Sequence, residues 1–447
     1  MSATMRRDAR GNPVSTRSAA ALDASEQALW RMMSFYGTPI DDLDAAIAAD
    51  PAWPLPRLMK AGFLLGLTEP SLLADARDVL ADAERLAASA DPREIAHGEA
   101  LRAVAEGDWD GACARWQSIL GRHPRDALAL QWAHLFDFYR GDAEQLRERP
   151  ARALPHWPAG DALLPCVIGL HAFGLEETGR FADAEAAGRD ALERDPRVPW
   201  AIHAVGHVME MQGRFDEGLR WMEQRRPQWV EGNGFSCHLG WHHALFALEA
   251  LDHVTALRLF DEHLDPAATQ ITLQRLDAAS LLWRCTLVGV DVGDRWRSLL
   301  DDWPLDDESA GFSVFNDLHA LFALVGAGDL DRAERHVRRA QESAGRAGHP
   351  NGAVMRDLGA RLLEGVLAFG RGRFDEATRL LGSIQPALAR IGGSHAQREV
   401  VAQTLLAAAA HGGARAVGLG LLEERRLARP STPLSRHWAE RLGAMPH

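Results

Sequence analysis

Lysine is almost absent from this chain, and its scarcity excludes several kinds of active site. Lys60 is the only lysine, so nearly all of the basic residues are arginines. A Schiff-base lysine and a phosphate-loop lysine are therefore excluded at every other position. Lys60 itself stands in LMKAGF, which lacks the glycines that a phosphate-binding loop needs.

Cysteine is also scarce, and long apolar runs are missing. The four cysteines lie far apart and form no CxxC pair: Cys113, Cys166, Cys237 and Cys285. This spacing argues against a disulfide framework or a structural zinc site and suggests a reducing compartment. The N-terminus has no apolar core of a secretory signal, and no run approaches the roughly 18 apolar residues that cross a bilayer. We therefore expect a cytoplasmic protein without a membrane partner.

Basic residues are fewer than acidic residues in this chain of 447 residues. Lys and Arg number 49 against 62 Asp and Glu, which gives a formal net charge of -13. Nucleic-acid binding normally needs a basic surface, so we expect no nucleic-acid partner. With 47% hydrophobic and 25% charged residues, the composition is typical of a folded protein.

One phrase recurs along the chain: a glycine, a charged residue, an aromatic or apolar residue, two variable positions and a small residue. It occurs as GDWDGA, GRFADA, GRFDEG, GDLDRA and GRFDEA, beginning at Gly107, Gly179, Gly213, Gly328 and Gly372. The copies at Gly179 and Gly213 lie 34 residues apart, which is the length of a tetratricopeptide unit.

Each position of this phrase has a mechanical reason in a pair of helices. Glycine ends the first helix, the aromatic residue opens the second and packs back, and the small residue lets the two approach closely. Apolar residues follow helical spacing throughout, and convincing strand alternation is absent. The sequence therefore predicts an all-α fold, a tetratricopeptide-like superhelix of antiparallel helix pairs. We expect residues 1–22 to be flexible and residues 23–447 to form a single helical-repeat domain.

Polar residues on the first helix of each pair are candidates for a ligand site, because such helices line the concave face of a solenoid. His203, His207 and Glu210 share one face at about 100° per residue. His238 and His242 share a face of a following helix. Since neighbouring helices pack about 8–10 Å apart, the two sets are expected to converge.

Two imidazoles four residues apart, with a carboxylate one turn on, suit zinc or iron. We therefore take His203, His207, His238 and His242 as candidate ligands of a divalent metal such as zinc or iron. Together with Glu210, the same side chains could instead act as acid and base without a metal. Chance alone predicts roughly one His-x-x-x-His pair among the 19 histidines, and His203/His207 and His238/His242 are two.

Other polar residues are weaker candidates for the same site. Asn316 and His319 share a face of a later first helix, whereas Asp317 points away from it. Trp241 lies among the histidines in the sequence, and its ring is a candidate to line one side of a ligand pocket. His134 is also a candidate, although a lone histidine in a helical repeat is more often a hydrogen-bonded packing residue.

The segment GGSHAQRE, which begins at Gly392, has two interpretations. It is either a plain helix start with Ser394 as its N-cap, or an anion site with Arg398 as the charged partner. The first interpretation is favoured.

Several longer phrases resemble the tetratricopeptide repeat protein 38 family. They are GDWDGACARWQSILGRHPRDALALQWAH, AIHAVGHVMEMQGRFDEGLRWM, HLGWHHAL, FNDLHAL and GGSHAQRE, in this order from near Asn12 to about Pro433. The resemblance implies a stand-alone cytosolic helical-repeat protein and brings no established activity with it. The family's pattern is matched at His203, His207, Glu210, His238, Trp241, His242, Asn316, Asp317, His319, Gln397 and Arg398. His395 departs from that pattern and is given no role.

Two hypotheses about function follow. In the first, the concave groove forms a His/Glu-lined pocket for a small polar ligand or metal, and the protein is an enzyme with acid–base or metal-assisted chemistry. His203, His207, Glu210, His238, His242 and His319 are its catalytic candidates, and Trp241, Asn316, Asp317, His134, Arg398 and Gln397 are its ligand-binding candidates. In the second, the protein is a non-catalytic scaffold that binds a protein or peptide. The usual peptide-carboxylate clamp uses lysine, which is nearly absent here.

Overall fold

The computed structural model describes residues 6–443, apart from 267–268, 304, 306–308 and 345–350. Two short strands, β1 (Arg6–Arg7) and β2 (Pro13–Val14), pair antiparallel before the first helix. The helices, numbered in chain order, are α1 (Ala19–Ser34), α2 (Ile40–Ala49), α3 (Leu55–Gly66), α4 (Leu73–Glu84), α5 (Pro92–Ala105), α6 (Trp109–Arg122), α7 (Ala127–Tyr139), α8 (Ala143–Ala153), α9 (Leu164–Glu177), α10 (Phe181–Arg194), α11 (Pro199–Met211), α12 (Phe215–Gln224), α13 (Ser236–Glu249), α14 (His253–His263), α15 (Thr272–Leu287), α16 (Arg295–Asp301), α17 (Val314–Gly326), α18 (Leu330–Ser343), α19 (Gly352–Val354), α20 (Ala360–Gly370), α21 (Phe374–Ile384), α22 (His395–Gly412), α23 (Arg415–Ala428) and α24 (Pro433–Arg441).

The repeat glycines end helices as the recurring phrase predicts. All have a positive φ between 69° and 85°, which glycine adopts without steric cost: Gly107, Gly179, Gly213, Gly328 and Gly372. After Gly179, for example, α10 begins at Phe181 and packs back along α9. Helices paired about such turns confirm the all-α, tetratricopeptide-like fold of antiparallel helix pairs.

The small residue of the repeat phrase sets how closely two helices approach. Gly218, at this position in α12, faces the ring of Phe246 on α13. A Cβ added at Gly218 would lie only 2.3 Å from Phe246 Cε1. The sequence therefore requires glycine here for α12 to reach α13, the helix that carries several candidate histidines.

The described chain divides into two compact units. The N-terminal unit comprises residues 1–205 and 228–235, and the C-terminal unit comprises 206–227 and 236–447. A single domain was expected because no linker is visible in the sequence. The division falls within α11, where a continuous helix leaves no linker to see.

The segment before α1 is packed from residue 6 onward, whereas its composition predicted flexibility over residues 1–22. Arg10 is buried and forms an ion pair with Glu26. The backbone N–H of Ser15 donates to Glu94 Oε1 at 3.1 Å. α1 already begins at Ala19. Composition could not reveal these contacts because Glu94 lies 79 positions away along the chain. Residues 1–5 lie outside the described part.

A buried ionic network stabilises the N-terminal unit. Arg93 Nη1 lies 2.8 Å from Asp126 Oδ2, and His97 Nε2 lies 3.0 Å from the same oxygen. Burial by itself would raise the pKa of Asp126, but His97 and Arg93 hold that pKa well below its usual range. The carboxylate is therefore charged and offsets the buried guanidinium.

In the C-terminal unit, aromatic contacts fix the position of α15. Trp283 on α15 donates its indole N–H to Thr404 Oγ1 on α22 at 2.9 Å. The Trp283 ring stacks on Phe322 of α17, with centroids 4.7 Å apart. Burying a side chain such as Phe322 contributes roughly 1.5–3 kcal/mol. These contacts hold α15, which carries Asp277 and Arg284, in one register.

None of the helices in the described ranges combines the length and the apolar character needed to cross a membrane.

Candidate functional site

Three of the predicted histidines meet in the C-terminal unit, on α11 and α13. Nitrogen atoms of His207, His238 and His242 lie within 4.8 Å of one another. The ring centroids of His207 and His242 are 4.4 Å apart, and those of His238 and His242 are 4.8 Å apart. His207 and His242 are buried, and the His238 side chain is 14% exposed. We call these three residues the histidine cluster.

A carboxylate on α11 orients one imidazole of the cluster. His242 Nδ1 lies 3.0 Å from Glu210 Oε2. With Glu210 ionised, Nδ1 carries the proton and donates it, so Nε2 keeps a lone pair for a metal or a proton. Burial raises the pKa of Glu210 above its usual value, against the opposing attraction of His207 and Arg429. The bond to His242 therefore joins two buried groups that each need a polar partner.

A second carboxylate orients His238 in the same way. His238 Nδ1 lies 2.9 Å from Asp277 Oδ2, and Asp277 is buried on α15. The lone pair of His238 is thus also left on Nε2. Sequence reasoning missed Asp277, although an acid inside the apolar stretch LDAASLLW of a first helix was a usable signal.

An aromatic wall and a buried cation stand beside the cluster. Trp241 is fully buried, its ring stacks on His238 with centroids 5.3 Å apart, and its centroid lies 4.6 Å from that of His242. The guanidinium carbon of Arg284 lies 5.3 Å from the Trp241 centroid. Trp241 therefore packs against two imidazoles of the cluster, and a positive charge lies over its ring.

Arg284 is held by neutral groups. Its guanidinium donates to the main-chain oxygens of Ala396 at 2.6 Å and Ser280 at 3.3 Å, and to the Ser280 hydroxyl. Within the described ranges, no carboxylate oxygen lies within 4.0 Å of its nitrogens. Burial lowers the pKa of Arg284 to about 10, partly offset by Glu210 and Asp277. Arg284 was not singled out from the sequence because nothing in its local pattern distinguishes it from other arginines.

A cavity in the C-terminal unit adjoins the cluster through Glu210. Its polar lining is Glu210, Glu249, Arg284, Glu399 and Gln403, and Phe215, Leu245, Phe246, Leu248 and Leu434 supply its apolar lining. We call it the Arg284 cavity. Three carboxylates, one guanidinium and one amide thus face the same small cavity.

Two of the carboxylates that line the Arg284 cavity are paired with arginines. Arg425 Nη2 lies 2.8 Å from both oxygens of Glu249. Arg425 and Arg429 both form ion pairs with Glu399. Although burial opposes its ionisation, Arg425 and Arg429 hold the pKa of Glu249 below its usual value. These pairs also tie α23 and the segment after it to α13 and α22.

His203, the fourth predicted metal ligand, belongs to the N-terminal unit. It precedes His207 by one turn of α11 and is buried. Its ring centroid lies 5.0 Å from that of Phe173, 5.4 Å from Trp200 and 5.2 Å from Phe235. In that unit His203 is thus surrounded by aromatic rings.

His134 also lies in the N-terminal unit, and its contacts are those of a packing residue. Its Nε2 lies 3.1 Å from the main-chain oxygen of Leu170. Burial lowers the pKa of His134 to about 3, so the ring is neutral at pH 7. Its polar group is satisfied by the backbone, and no contact in the N-terminal unit distinguishes a ligand role for it.

The three candidates on α17 differ in their surroundings. His319 Nδ1 donates to the main-chain oxygen of Phe315 at 2.8 Å, and burial lowers its pKa to about 4. Asp317 accepts from the backbone N–H of Gly311 at 2.9 Å and therefore fixes the turn before α17. Asn316 is half-buried. None of these contacts involves the histidine cluster.

Gln397 and Arg398 make the contacts of a helix start. Ser394 and Gln397 form a reciprocal capping box, with distances of 3.2 Å to Ser394 Oγ and 3.0 Å to Gln397 Oε1. Arg398 donates to the main-chain oxygen of Gly393. These bonds satisfy the first N–H groups of α22, in agreement with the favoured interpretation of the GGSHAQRE segment.

Comparison with known proteins gives a weak structural similarity and no family match. A search against protein-family models finds no match. The chain is similar to the crystal structure of yeast Tom70, with a TM-score of 0.32 and 13% sequence identity. The similarity covers 95% of this chain and 87% of that one. It carries no information about a ligand.

Proposed function

We propose that the C-terminal unit binds a divalent transition metal through His207, His238 and His242. The observation that carries this proposal is the approach of three imidazoles whose nitrogens lie within 4.8 Å of one another. Tetrahedral zinc, with bonds of about 2.0–2.1 Å, needs ligand nitrogens about 3.3 Å apart. The rings therefore have to move together by roughly 1.5 Å at most.

The hydrogen bonds around the cluster support the same proposal. Metal-bound histidines usually donate their second N–H to a carboxylate, which fixes the tautomer and raises ligand basicity. Glu210 does this for His242, and Asp277 does it for His238. Three neutral imidazoles suit zinc, and they suit iron as well.

His207, His238 and His242 would hold such a metal through three protein ligands, the number typical of catalytic rather than structural zinc sites. The metal would supply Lewis-acid chemistry. The chain's own groups have separate tasks: Glu210 and Asp277 hold the imidazoles, and Trp241 shields them from solvent. We infer metal-assisted chemistry on a small polar ligand.

Elemental analysis of the full chain tests the proposal. The purified protein is stripped with a chelator, reloaded with zinc, desalted and measured, alongside His207→Gln and His242→Gln. We expect about one zinc per wild-type chain and strongly reduced zinc in both variants. His243→Gln is the matched control, because His243 is the next buried residue of α13 and lies outside the cluster.

Circular dichroism establishes that each variant folds. Zinc retention by folded His207→Gln and His242→Gln at the wild-type level would contradict the proposal. So would loss of zinc in His243→Gln alone.

A second candidate is a non-catalytic scaffold that binds a protein or peptide. It is supported by the helix-pair architecture, which presents extended surfaces for partners. This candidate predicts no stoichiometric metal, so the same elemental analysis separates the two.

We also propose membership of the tetratricopeptide repeat protein 38 family and a cytoplasmic location. The family proposal is supported by the shared phrases, among them HAVGHVME and HLGWHHAL. The location is supported by the four cysteines, which are all buried and free.

A further inference from the structure

Arg284 is a buried positive charge whose hydrogen-bonding partners carry no charge. It is 1% exposed, and its guanidinium donates to the main-chain oxygens of Ser280, Ala396 and Gln397 and to the Ser280 hydroxyl. A buried charge is costly unless a charge of opposite sign compensates it. Arg284 lines a cavity, so a compensating charge can come from a molecule bound there.

The other charged side chains that line the Arg284 cavity already have polar partners. Glu249 and Glu399 are paired with Arg425 and Arg429. Glu210 Oε2 lies 3.0 Å from His242 Nδ1, so Glu210 is engaged with the histidine cluster.

A metal in the cluster changes the charge balance of this region. Three neutral imidazoles leave a divalent ion with both of its positive charges, and Arg284 adds a third. Among the described residues of the C-terminal unit, Asp277 and Glu210 are the carboxylates that contact His238 and His242. A divalent ion would therefore increase the positive charge near Arg284, which favours an anionic ligand there.

Gln403 is a second, independent sign of a ligand in this cavity. It is 6% exposed and lines the cavity, and its Oε1 has no hydrogen-bond partner among the described residues. A buried amide oxygen without a partner costs roughly 1–3 kcal/mol. Because the amide can turn over, it can offer an N–H to an oxyanion.

We propose that the Arg284 cavity binds a carboxylate group of a small ligand, with Arg284 supplying charge and Gln403 a hydrogen bond. This inference rests on the proposed metal function, and it names the ligand class of that site. The carboxylate would lie in the cavity that Glu210 lines, and Glu210 in turn contacts His242 of the histidine cluster.

The test uses full-length protein loaded with cobalt, whose visible absorption reports on its ligands. Acetate is titrated as the probe, with the uncharged isostere acetamide and inorganic phosphate in parallel. We expect saturable binding of acetate, no saturable binding of acetamide, and phosphate binding weaker than that of acetate. Equal responses to acetate and acetamide, or tighter binding of phosphate, would overturn the inference.

The variant Gln403→Leu distinguishes binding of acetate in the Arg284 cavity from binding of acetate to the metal alone. Losing one hydrogen bond should lower the affinity for acetate roughly threefold to tenfold, while the cobalt content stays at the wild-type level. Arg284→Lys keeps the positive charge but lacks the planar, paired N–H donors of a guanidinium. It should therefore lower the affinity for acetate without abolishing binding. Acetate binding to Gln403→Leu that is as tight as to the wild type would overturn the inference.

Failure of the metal proposal is recognised separately. A protein that binds no cobalt contradicts both proposals, whereas a cobalt-loaded protein that does not respond to acetate contradicts this one alone.

Discussion

His242 Nδ1 lies 3.0 Å from Glu210 Oε2, although the two residues are 32 positions apart and on different helices. The contact joins a buried imidazole to a buried carboxylate whose pKa is raised by burial. It connects the histidine cluster to the Arg284 cavity, because Glu210 also lines that cavity. A single carboxylate thus orients a candidate ligand and borders the space where a substrate would lie.

Removing the charge of Glu210 should weaken metal binding without abolishing it. Glu210→Gln keeps the shape of the side chain but no longer stabilises the positive charge that develops on a metal-bound His242. We expect zinc affinity to fall about 10–100-fold, the usual effect of losing such a carboxylate. Competition with a chromophoric chelator measures the dissociation constant.

Glu262→Gln is the control for that experiment, because Glu262 pairs with Arg258 on α14 and lies outside the cluster. Equal zinc affinities for Glu210→Gln and Glu262→Gln would show that the His242 contact does not tune a metal.

Gly218, the small residue of the repeat phrase in α12, should not tolerate a side chain. In Gly218→Ala the new Cβ would lie within 2.3 Å of Phe246, so the helices must separate or the ring must move. We expect a loss of about 1–3 kcal/mol in the free energy of unfolding. Urea unfolding followed by circular dichroism measures it.

Gly382→Ala is the matched change within a helix, since a Cβ at Gly382 on α21 meets nothing within 4 Å. It should be neutral or stabilise by about 0.5–1 kcal/mol. A Gly218→Ala protein as stable as Gly382→Ala would refute the close approach of α12 and α13.

His319 should make the metal-free protein sensitive to acid. Burial lowers its pKa to about 4, so it stays neutral in the folded state while an unfolded chain takes up a proton near pH 6.5. Its contribution to the free energy of unfolding is therefore complete above about pH 6.5, the pKa of histidine in the unfolded chain. That contribution is lost as the pH falls from about 6.5 to about 4. At pH 5 the free energy of unfolding is therefore lower by about 2 kcal/mol than at neutral pH because of this residue.

His319→Gln removes that titration and retains an amide donor for the Phe315 oxygen. The difference in unfolding free energy between pH 7.5 and pH 5 should be smaller in the variant by about 2 kcal/mol. An unchanged pH dependence would mean that His319 is protonated in the folded protein.

The ion pair of Asp126 should be important to the N-terminal unit. Asp126→Asn leaves the buried guanidinium of Arg93 without its carboxylate, which typically costs about 3–5 kcal/mol. Differential scanning calorimetry should show a lowered melting temperature. Asp23→Asn, at an exposed position of α1, should melt like the wild type, and equal melting of both variants would contradict the role of the pair.

The sequence predicted what depends on local periodicity. The repeat glycines fixed the helix pairs, and spacing of four residues placed His238 and His242 on one face. The sequence marks Asp277 only as an acid in an apolar stretch, because its partner His238 is 39 positions away. Arg284 has no local signal, and its partner Ala396 is 112 positions away. The packed segment around Arg10 was missed for the same reason. Contacts between distant helices depend on their packing, which local patterns do not encode.

The most direct measurement of the central claim is X-ray absorption at the zinc edge of the reloaded full chain. We predict three imidazole nitrogens at about 2.0–2.1 Å, with the multiple scattering of histidine rings, and one further light atom. His242→Gln should reduce the imidazole contribution. A shell of oxygen atoms without histidine scattering, or one unchanged in His242→Gln, would contradict a metal site built on His207, His238 and His242.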